Sequence, residues 1–191
     1  MKTIQILRTL INILFYTLIA VFIIGFIFFI LLFLFPETLP SPLNSFSELF
    51  NSMLFSSMFS WKMYLIPIST TINYILFIVA IYFLRKSVSS FIISDFYSEK
   101  ATTNLKNAGN IFVFIGVSTI IIQLFAILYF QNLAKNMIQM KTNFLITLSN
   151  TLAAAIDLKS VISIIIGLFF LLFSKIFENS RILKQENDLT I

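Results

Sequence analysis

The chain has 191 residues, of which 59% are hydrophobic and 11% charged, and its formal net charge is +5. A soluble domain has about 25% charged residues, so this composition indicates a membrane protein. Cysteine and histidine are absent, which excludes disulfides, thiol and imidazole catalysis and the usual zinc and iron ligand sets, and no cofactor is expected. Membrane proteins carry basic residues on their cytoplasmic side, so the positive charge does not predict direct binding of nucleic acid.

Four long apolar stretches predict an all-α polytopic membrane protein, a single domain over residues 1–191 that forms a four-helix transmembrane bundle. The predicted spans are about 10–35, 63–84, 111–130 and 157–174. As a helix the first stretch measures roughly 39 Å, more than the ~30 Å hydrocarbon core, which predicts a tilted helix. A signal peptide has an apolar region of only about 7–15 residues, so we expect this span to be retained.

The two outer loops are predicted to contain short helices that lie in the membrane interface. In the first loop, residues 44–61 place apolar side chains at roughly helical spacing among serines. This pattern predicts an interfacial helix, with Trp61 and Tyr64 at the depth of the lipid headgroups. A lid over a pocket is the alternative. The second outer loop, residues 131–158, is expected to hold a short amphipathic helix around 137–155.

Spans two to four each carry a line of small and polar residues, because spacings of four and seven return to the same helical face. The candidate helix-packing residues are Ser69, Asn73, Gly109, Gly116, Gln123, Ser163 and Gly167. Small residues allow helices to approach closely in lipid. In the second span Pro67 is expected to kink the helix, and a ligand site among its polar residues is the alternative to packing.

Polar groups inside the spans are few, and each needs a partner. An unpaired amide in hydrocarbon costs several kcal/mol, so Gln123 must find one. Asn73 or a hydroxyl group of another span could provide it. Asp157 and Lys159 stand two residues apart at the outer end of the fourth span, so they face different sides and do not pair. The spans otherwise lack charged residues, which disfavours ion-coupled transport.

The distribution of basic residues predicts the orientation. The amino tail, the middle loop 85–110 and the carboxyl tail 175–191 hold nine Lys and Arg residues, whereas the two outer loops together with the adjoining Lys159 hold four. With four spans the two tails and the middle loop share one side of the membrane. The positive-inside rule makes that side the cytoplasm, so we expect a multi-pass protein of the plasma membrane with both termini cytoplasmic.

The middle loop is predicted to be largely helical. The second span would continue as a helix through Val88 and Phe91 and break at Ser94. Ser98 would then cap a second helix that runs through Leu105 into the third span. Apolar side chains in this loop are expected to lie at the bilayer surface or to pack on the carboxyl tail. A docking surface for a soluble partner is the alternative.

The carboxyl end continues the fourth helix past the membrane and carries the most specific motif of the chain. The pattern F-x-x-G-x-x-L-x-x-E-x-D-L-T-I/V is matched at Phe177, Leu183, Glu186, Asp188, Leu189, Thr190 and Ile191, with Ser180 in place of the glycine. In the middle loop Phe96, Leu105 and Gly109 match a second pattern, while Asp95 replaces a proline and Lys106 an arginine. These motifs resemble the bacterial family catalogued as domain of unknown function 2975.

The resemblance implies a small four-span membrane protein without an established activity, and many such proteins are encoded beside a small helix-turn-helix regulator. It suggests that the partners are the lipid bilayer and a regulator of this kind. The candidate cytoplasmic interaction face consists of Arg85, Lys86, Phe91, Phe96, Leu105, Lys106, Glu186, Asp188, Leu189, Thr190 and Ile191. We expect the tail, Glu186 to Ile191, to fold back onto the middle loop.

Three classes of function follow from these patterns. The first is a non-enzymatic membrane protein whose middle loop and tail bind a soluble partner. The alternative is a small permease or an immunity-type protein that acts through its helix bundle. An enzyme ranks third, because the chain lacks His and Cys and places no pair of carboxylates within the bundle, so the usual acid–base and metal constellations are missing.

Overall fold

The computed structural model describes residues 2–34, 64–93, 98–138, 151 and 153–188. Its four long helices are α1 (Lys2–Leu34), α2 (Leu65–Ile93), α3 (Glu99–Ile138) and α4 (Leu158–Asp188). Each is long and apolar enough to cross a membrane, and the described residues contain no strand. The predicted all-α fold with four membrane helices is therefore confirmed. The predicted helix at 44–61 and most of the one at 137–155 lie outside the described residues.

Helix α3 lies at the centre of the bundle and packs against both α2 and α4, while α1 packs against α2. Successive helices are antiparallel, so the start of α1, the end of α2, the start of α3 and the end of α4 lie at one end. We call this the terminal end, and the opposite one the loop end. The Ser87 hydroxyl of α2 donates to the Ala101 carbonyl of α3 at 2.9 Å. The Ser174 hydroxyl of α4 donates to the neighbouring Thr102 carbonyl at 3.0 Å.

The helices continue beyond the predicted spans at the terminal end. Residues 65–84 of α2 measure about 30 Å, which already matches the hydrocarbon core. Helix α2 nevertheless runs on to Ile93, and α3 begins at Glu99. The Ser98 hydroxyl accepts a hydrogen bond from the backbone N–H of Ala101 at 3.3 Å, so the predicted cap of α3 is confirmed. Most of the middle loop is therefore helix.

The buried core lies towards the terminal end and joins α2 to α3. It consists of Ala80, Ile81, Leu84, Leu105, Ala108 and Phe112. Partly buried side chains of α1 and α4, such as Phe15 and Phe170, pack against it. Leu105 is only 7% exposed, which corrects its assignment to the candidate interaction face. Because α3 is helical through this position, Leu105 faces α2 instead of a partner.

The interface of α3 and α4 is formed by small residues whose backbones come into direct contact. A Cβ atom added to Gly167 would lie 2.7 Å from the carbonyl oxygen of Gly109 and 2.7 Å from the backbone nitrogen of Val113. One added to Gly116 would lie 2.8 Å from the carbonyl oxygen of Ser160. The Ser163 hydroxyl donates to the Phe112 carbonyl at 3.0 Å. The structure thus brings the glycine line of α3 against the Ser163–Gly167 face of α4.

Pro67 does not lie in the interior of a transmembrane helix, where the sequence predicted that it would produce a kink. Helix α2 begins at Leu65, so Pro67 lies in the first turn, where a backbone N–H has no acceptor within the helix. Its carbonyl oxygen accepts hydrogen bonds from the hydroxyls of Thr70 at 2.9 Å and Thr71 at 2.8 Å. The expected kink is therefore replaced by a helix start that is compatible with proline.

Candidate functional site

Asn73 connects α2 to α3 and has both amide atoms occupied. Its Oδ1 atom accepts a hydrogen bond from the Ser118 hydroxyl at 2.8 Å. Its Nδ2 atom donates to the Thr119 hydroxyl at 3.3 Å. An amide that is satisfied on both sides inside an apolar bundle holds two helices together. This supports the packing interpretation of Asn73 over a ligand site.

Gln123 connects α3 to the residue that precedes α4. Its Nε2 atom donates to Asp157 Oδ2 at 3.0 Å. Asp157 Oδ1 in turn accepts the backbone N–H of Ser160 at 2.8 Å and the Ser160 hydroxyl. Asp157 therefore caps α4 and provides the acceptor that Gln123 needs. Asn73, which the sequence suggested as a partner of Gln123, bonds to Ser118 and Thr119 instead. The Gln123 Oε1 atom is buried and has no hydrogen-bond partner among the described residues.

The charge state of Asp157 follows from these contacts. Asp157 precedes the first residue of α4 and so lies outside the spanning helices. The hydrogen bonds from Ser160, followed by the one from Gln123, hold the pKa of the Asp157 carboxyl below its ordinary value, because each favours the charged form. A carboxylate at this position also interacts favourably with the positive end of the α4 dipole.

Arg85, a basic residue of the candidate face, lies against α1. The Arg85 guanidinium carbon lies 5.3 Å from the ring centre of Phe15 and 5.2 Å from that of Tyr16. Arg85 Nη2 also donates to the Tyr16 hydroxyl at 3.2 Å. This cation–π contact directs Arg85 towards α1. Lys86 and Lys106 are exposed.

Residues 175–181 of α4, which follow the Ser174 contact, pack on α2 and α3. The rings of Phe91 and Phe177 lie 5.6 Å apart, and Arg181 Nη1 lies 3.5 Å from a carboxylate oxygen of Glu99. Glu99 is the first residue of α3. The part of α4 that follows Ser174 therefore contacts both the second and the third helix.

Residues 182–188 form the last two turns of α4, after its contact with Glu99 through Arg181. Residues 182–188 continue α4 past its contact with Glu99 by about 10 Å of helix. The side chains of residues 182–187 are exposed, with Ile182 at 44% and Leu183 at 64%. Helix α4 is continuous up to Asp188, and the fold-back of the tail onto the middle loop stays a prediction, because the last three residues of the tail lie outside the described residues. Phe96, the Asp188 side chain and Leu189, Thr190 and Ile191 lie outside the described residues.

The described residues contain no group of three or more acidic side chains that could hold a metal ion. They include an open groove between α1 and the loop half of α2, with a volume of about 700 Å³, and the exposed end of α4. The sequence patterns did not predict the contact of Gln123 with Asp157 or that of Arg85 with α1. They carry no signal for contacts between helices that are far apart in the chain.

Four apolar helices of spanning length define an integral membrane protein. Comparison of the chain with protein-family models found no matching family, and neither a curated protein nor a solved structure matched it. The resemblance to the domain of unknown function 2975 family therefore rests on the motif residues alone.

Proposed function

We propose that this integral membrane protein is non-enzymatic and lies in the plasma membrane, where the terminal end of its bundle docks a small soluble protein in the cytoplasm. The observation that carries the proposal is the end of α4, residues 182–188. It presents exposed aliphatic side chains beyond the membrane-spanning part of the bundle. We refer to it as the α4 projection.

The hydrogen bonds between helices support a position of the α4 projection outside the hydrocarbon core of the bilayer. Ser174 bonds to Thr102 and Ser87 to Ala101, so these residues lie at one level, just beyond the apolar residues 65–84 of α2. Residues 175–188 of α4 therefore extend about 21 Å beyond the hydrocarbon core. Ile182 and Leu183 are too far along the helix to contact lipid tails if α4 keeps its direction.

The chemistry of the α4 projection suits a protein partner. Ile182 and Leu183 are adjacent and exposed, and charged residues such as Arg181 and Lys184 flank them. An apolar centre with a polar rim is the usual composition of a protein interface. A helix that presents such a stripe typically binds in an apolar groove of its partner. The resemblance described above supports a small helix-turn-helix regulator as that partner.

The proposal requires the terminal end to face the cytoplasm, and this gives a first prediction. A reporter that is active only outside the cytoplasm is expected to stay silent when fused after Ile191, because nine of the 13 basic residues lie on that side of the bundle, and basic residues are enriched on the cytoplasmic side. The same reporter inserted at Ser45 is expected to be active. Measurement of reporter activity in intact cells tests both. An active fusion at Ile191 and a silent one at Ser45 would reverse the orientation and remove the cytoplasmic partner.

A second prediction concerns the partner itself. In purification of the full chain from native membranes, the wild type is expected to retain a small soluble helix-turn-helix protein in fixed stoichiometry. Leu183→Glu is expected to lose it, because a charge replaces the most exposed apolar side chain of the α4 projection. Gln185→Glu adds the same charge two residues away, on another side of the helix, and is expected to keep it. Mass spectrometry of the purified material identifies and counts the partner.

Two different results of this purification would contradict the proposal. Equal retention by Leu183→Glu and Gln185→Glu would show that the α4 projection is not the docking surface. If no such protein is retained and the purified chain instead carries a solute flux in liposomes, the protein belongs to the permease class that the sequence left as the alternative.

A further inference from the structure

Arg85 is held at the surface between α1 and α2, near the terminal end, by two aromatic rings and one hydrogen bond. Its guanidinium lies over the rings of Phe15 and Tyr16, and Nη2 donates to the Tyr16 hydroxyl at 3.2 Å. Arg85 is half-buried, whereas Tyr16 is 58% exposed and Tyr82, one turn earlier on α2, is 44% exposed. We call the surface formed by Phe15, Tyr16, Tyr82 and Arg85 the Arg85 face.

The positive charge of Arg85 has no anionic partner among the described residues. Both ion pairs found there involve α4 instead, through Lys175 and Arg181. A guanidinium has five N–H donors, and the bond to Tyr16 uses one of them on a neutral acceptor. Since a charge that is partly removed from water without an opposite charge costs free energy, an external anion would bind favourably at Arg85.

The depth of Arg85 in the membrane is that of the lipid headgroups. Arg85 is the first charged residue after the apolar residues 65–84 of α2, and a basic residue in this place marks the edge of the hydrocarbon core. Tyr16 and Tyr82 lie beside it, and tyrosine is enriched at the same depth. Of the other three long helices, α1 packs on α2 alone, so the Arg85 face is directed towards lipid. The anion available there is the phosphate group of a phospholipid.

The donors of the Arg85 face suit a phosphodiester. A planar guanidinium can donate two parallel N–H bonds to two oxygens of one phosphate. The Tyr16 hydroxyl accepts its bond from Arg85, so its own proton remains available for a phosphate oxygen. Because the rings of Phe15 and Tyr16 already restrict the Arg85 side chain, little rotamer freedom is lost when an anion binds.

The charges around the Arg85 face favour an anionic lipid over a zwitterionic one. Arg8 is exposed and lies on the same side of α1 as Tyr16, because positions 8, 12 and 16 are spaced by four. Neither residues 2–22 of α1 nor residues 74–93 of α2 include an acidic residue. The ammonium group of phosphatidylethanolamine would therefore meet positive charge and no carboxylate, whereas phosphatidylglycerol carries only its negative phosphate.

From these observations we propose that Arg85 and Tyr16 bind the phosphate group of an anionic phospholipid, phosphatidylglycerol, in the leaflet at the terminal end. Arg8 adds to the attraction without contacting the same phosphate, since it lies about 12 Å of helix beyond Tyr16. A dissolved phosphate compound has the same chemistry, but the depth of Arg85 favours lipid as the source. The site is independent of the proposed docking function, because it lies on α1 and α2 and not on the α4 projection.

The test uses the purified full chain in detergent micelles with equal amounts of phosphatidylglycerol and phosphatidylethanolamine that carry the same acyl chains. Native mass spectrometry counts the lipids that stay bound to the protein. The wild type is expected to retain one phosphatidylglycerol severalfold more often than one phosphatidylethanolamine. Equal retention of the two lipids would overturn the proposal, because the Arg85 face would then not select an anionic headgroup.

Two matched variants locate the lipid. Arg85→Gln is expected to reduce retention of phosphatidylglycerol about tenfold, as for the loss of a charge-assisted hydrogen bond. Lys106→Gln removes the same charge from α3, which does not pack against α1, and is expected to leave retention unchanged. Lys106 has a similar depth, because its neighbour Leu105 shares the core cluster with Leu84. Equal losses in the two variants would show an effect of net charge alone and would overturn the site.

A third variant, Arg85→Lys, keeps the test decisive if Arg85→Gln does not fold. Lysine retains the charge and the contact with the aromatic rings, but it cannot bind a phosphate through a planar fork. Its retention of phosphatidylglycerol is expected to fall severalfold below that of the wild type. Retention equal to the wild type would overturn the role of the guanidinium. Circular dichroism during heating, without added lipid, checks that each variant is folded.

A last measurement separates lipid from dissolved phosphate. The thermal midpoint of the delipidated full chain is compared in phosphatidylglycerol, in excess inorganic phosphate, and in sodium chloride of equal ionic strength. The midpoint is expected to rise with phosphatidylglycerol and not with inorganic phosphate. A rise with inorganic phosphate that Arg85→Gln abolishes would overturn the assignment to lipid and identify a site for a soluble phosphate compound.

Discussion

Gly167→Ala is expected to lower the free energy of unfolding of the bundle by about 1–3 kcal/mol, the usual cost of overpacking. The added methyl group would lie 2.7 Å from two backbone atoms of α3, the Gly109 oxygen and the Val113 nitrogen. Backbone atoms cannot rotate away as the end of a side chain can. Helix α4 must therefore move away from α3, and the contacts on both sides of Gly167 weaken together.

The matched control is Gly25→Ala. It adds the same methyl group to a transmembrane glycine, but a Cβ atom at Gly25 meets nothing within 4 Å. Alanine is also the better helix former in general, by up to about 1 kcal/mol, so this variant is expected to be as stable as the wild type or slightly more so. Thermal unfolding in detergent, followed by circular dichroism, compares the three proteins. Equal midpoints for Gly167→Ala and the wild type would contradict the close approach of α3 and α4.

The sequence predicted which faces of the helices pack, but not how they pair. The seven-residue spacing of Gly109, Gly116 and Gln123 places them on one side of α3, and the same periodicity identified the Ser163–Gly167 side of α4. Which glycine of α3 lies against which residue of α4 depends on the axial position of one helix relative to the other. That register is set by the sum of many contacts, such as the Ser163 hydroxyl on the Phe112 carbonyl, and no single residue pattern encodes it.

The extent of the helices at the terminal end was predicted in part. Ser98 is a good N-cap, so the start of α3 could be inferred from local chemistry alone. Leu105 was assigned to the candidate interaction face because it matches the middle-loop pattern together with Phe96 and Gly109. In the structure the helix turns Lys100 and Lys106 outward and Leu105 into the core. Hydropathy averages over all faces of a helix and cannot distinguish these directions.

Arg85 shows a second limit of sequence reasoning. A basic residue at the end of an apolar stretch indicates the edge of the membrane, and it is natural to expect its side chain to point into water. Here the Arg85 guanidinium instead contacts the rings of Phe15 and Tyr16. These aromatic residues precede Arg85 by about 70 positions. Their contact depends on how α1 lies against α2, which local patterns do not determine.

Asp157→Ala is the second substitution that we expect to be costly, with a loss of about 1–3 kcal/mol in the free energy of unfolding. The carboxylate accepts hydrogen bonds from the backbone N–H and hydroxyl of Ser160 and from Gln123 Nε2. Alanine leaves these donors unpaired at a site where Ser160 is buried. Gln123 would be affected most, because its Oε1 atom already has no partner among the described residues.

Asp157→Asn is the conservative control and is expected to be mild. Asparagine is as good an N-cap as aspartate, so it can still accept the Ser160 N–H. The amide of Gln123 can rotate by half a turn and present its oxygen to the new NH₂ group. The contribution of Asp157 to stability also depends on pH, and the direction of this dependence is defined. Because the pKa of Asp157 is lowered from its ordinary value of 3.8, its contribution is complete above that pH and is lost as the pH falls below it.

A double-mutant cycle with Gln123→Leu separates the two roles of Asp157. Gln123→Leu alone removes an unpaired buried oxygen and is expected to change stability little. In that background Asp157→Ala should cost less than in the wild type, because only the cap of α4 is then lost and no amide is left unpaired in the bundle. Unfolding midpoints of the four proteins at neutral pH provide the measurement. An equal cost of Asp157→Ala in both backgrounds would mean that the bond from Gln123 to Asp157 contributes nothing, and that the carboxylate acts on α4 alone.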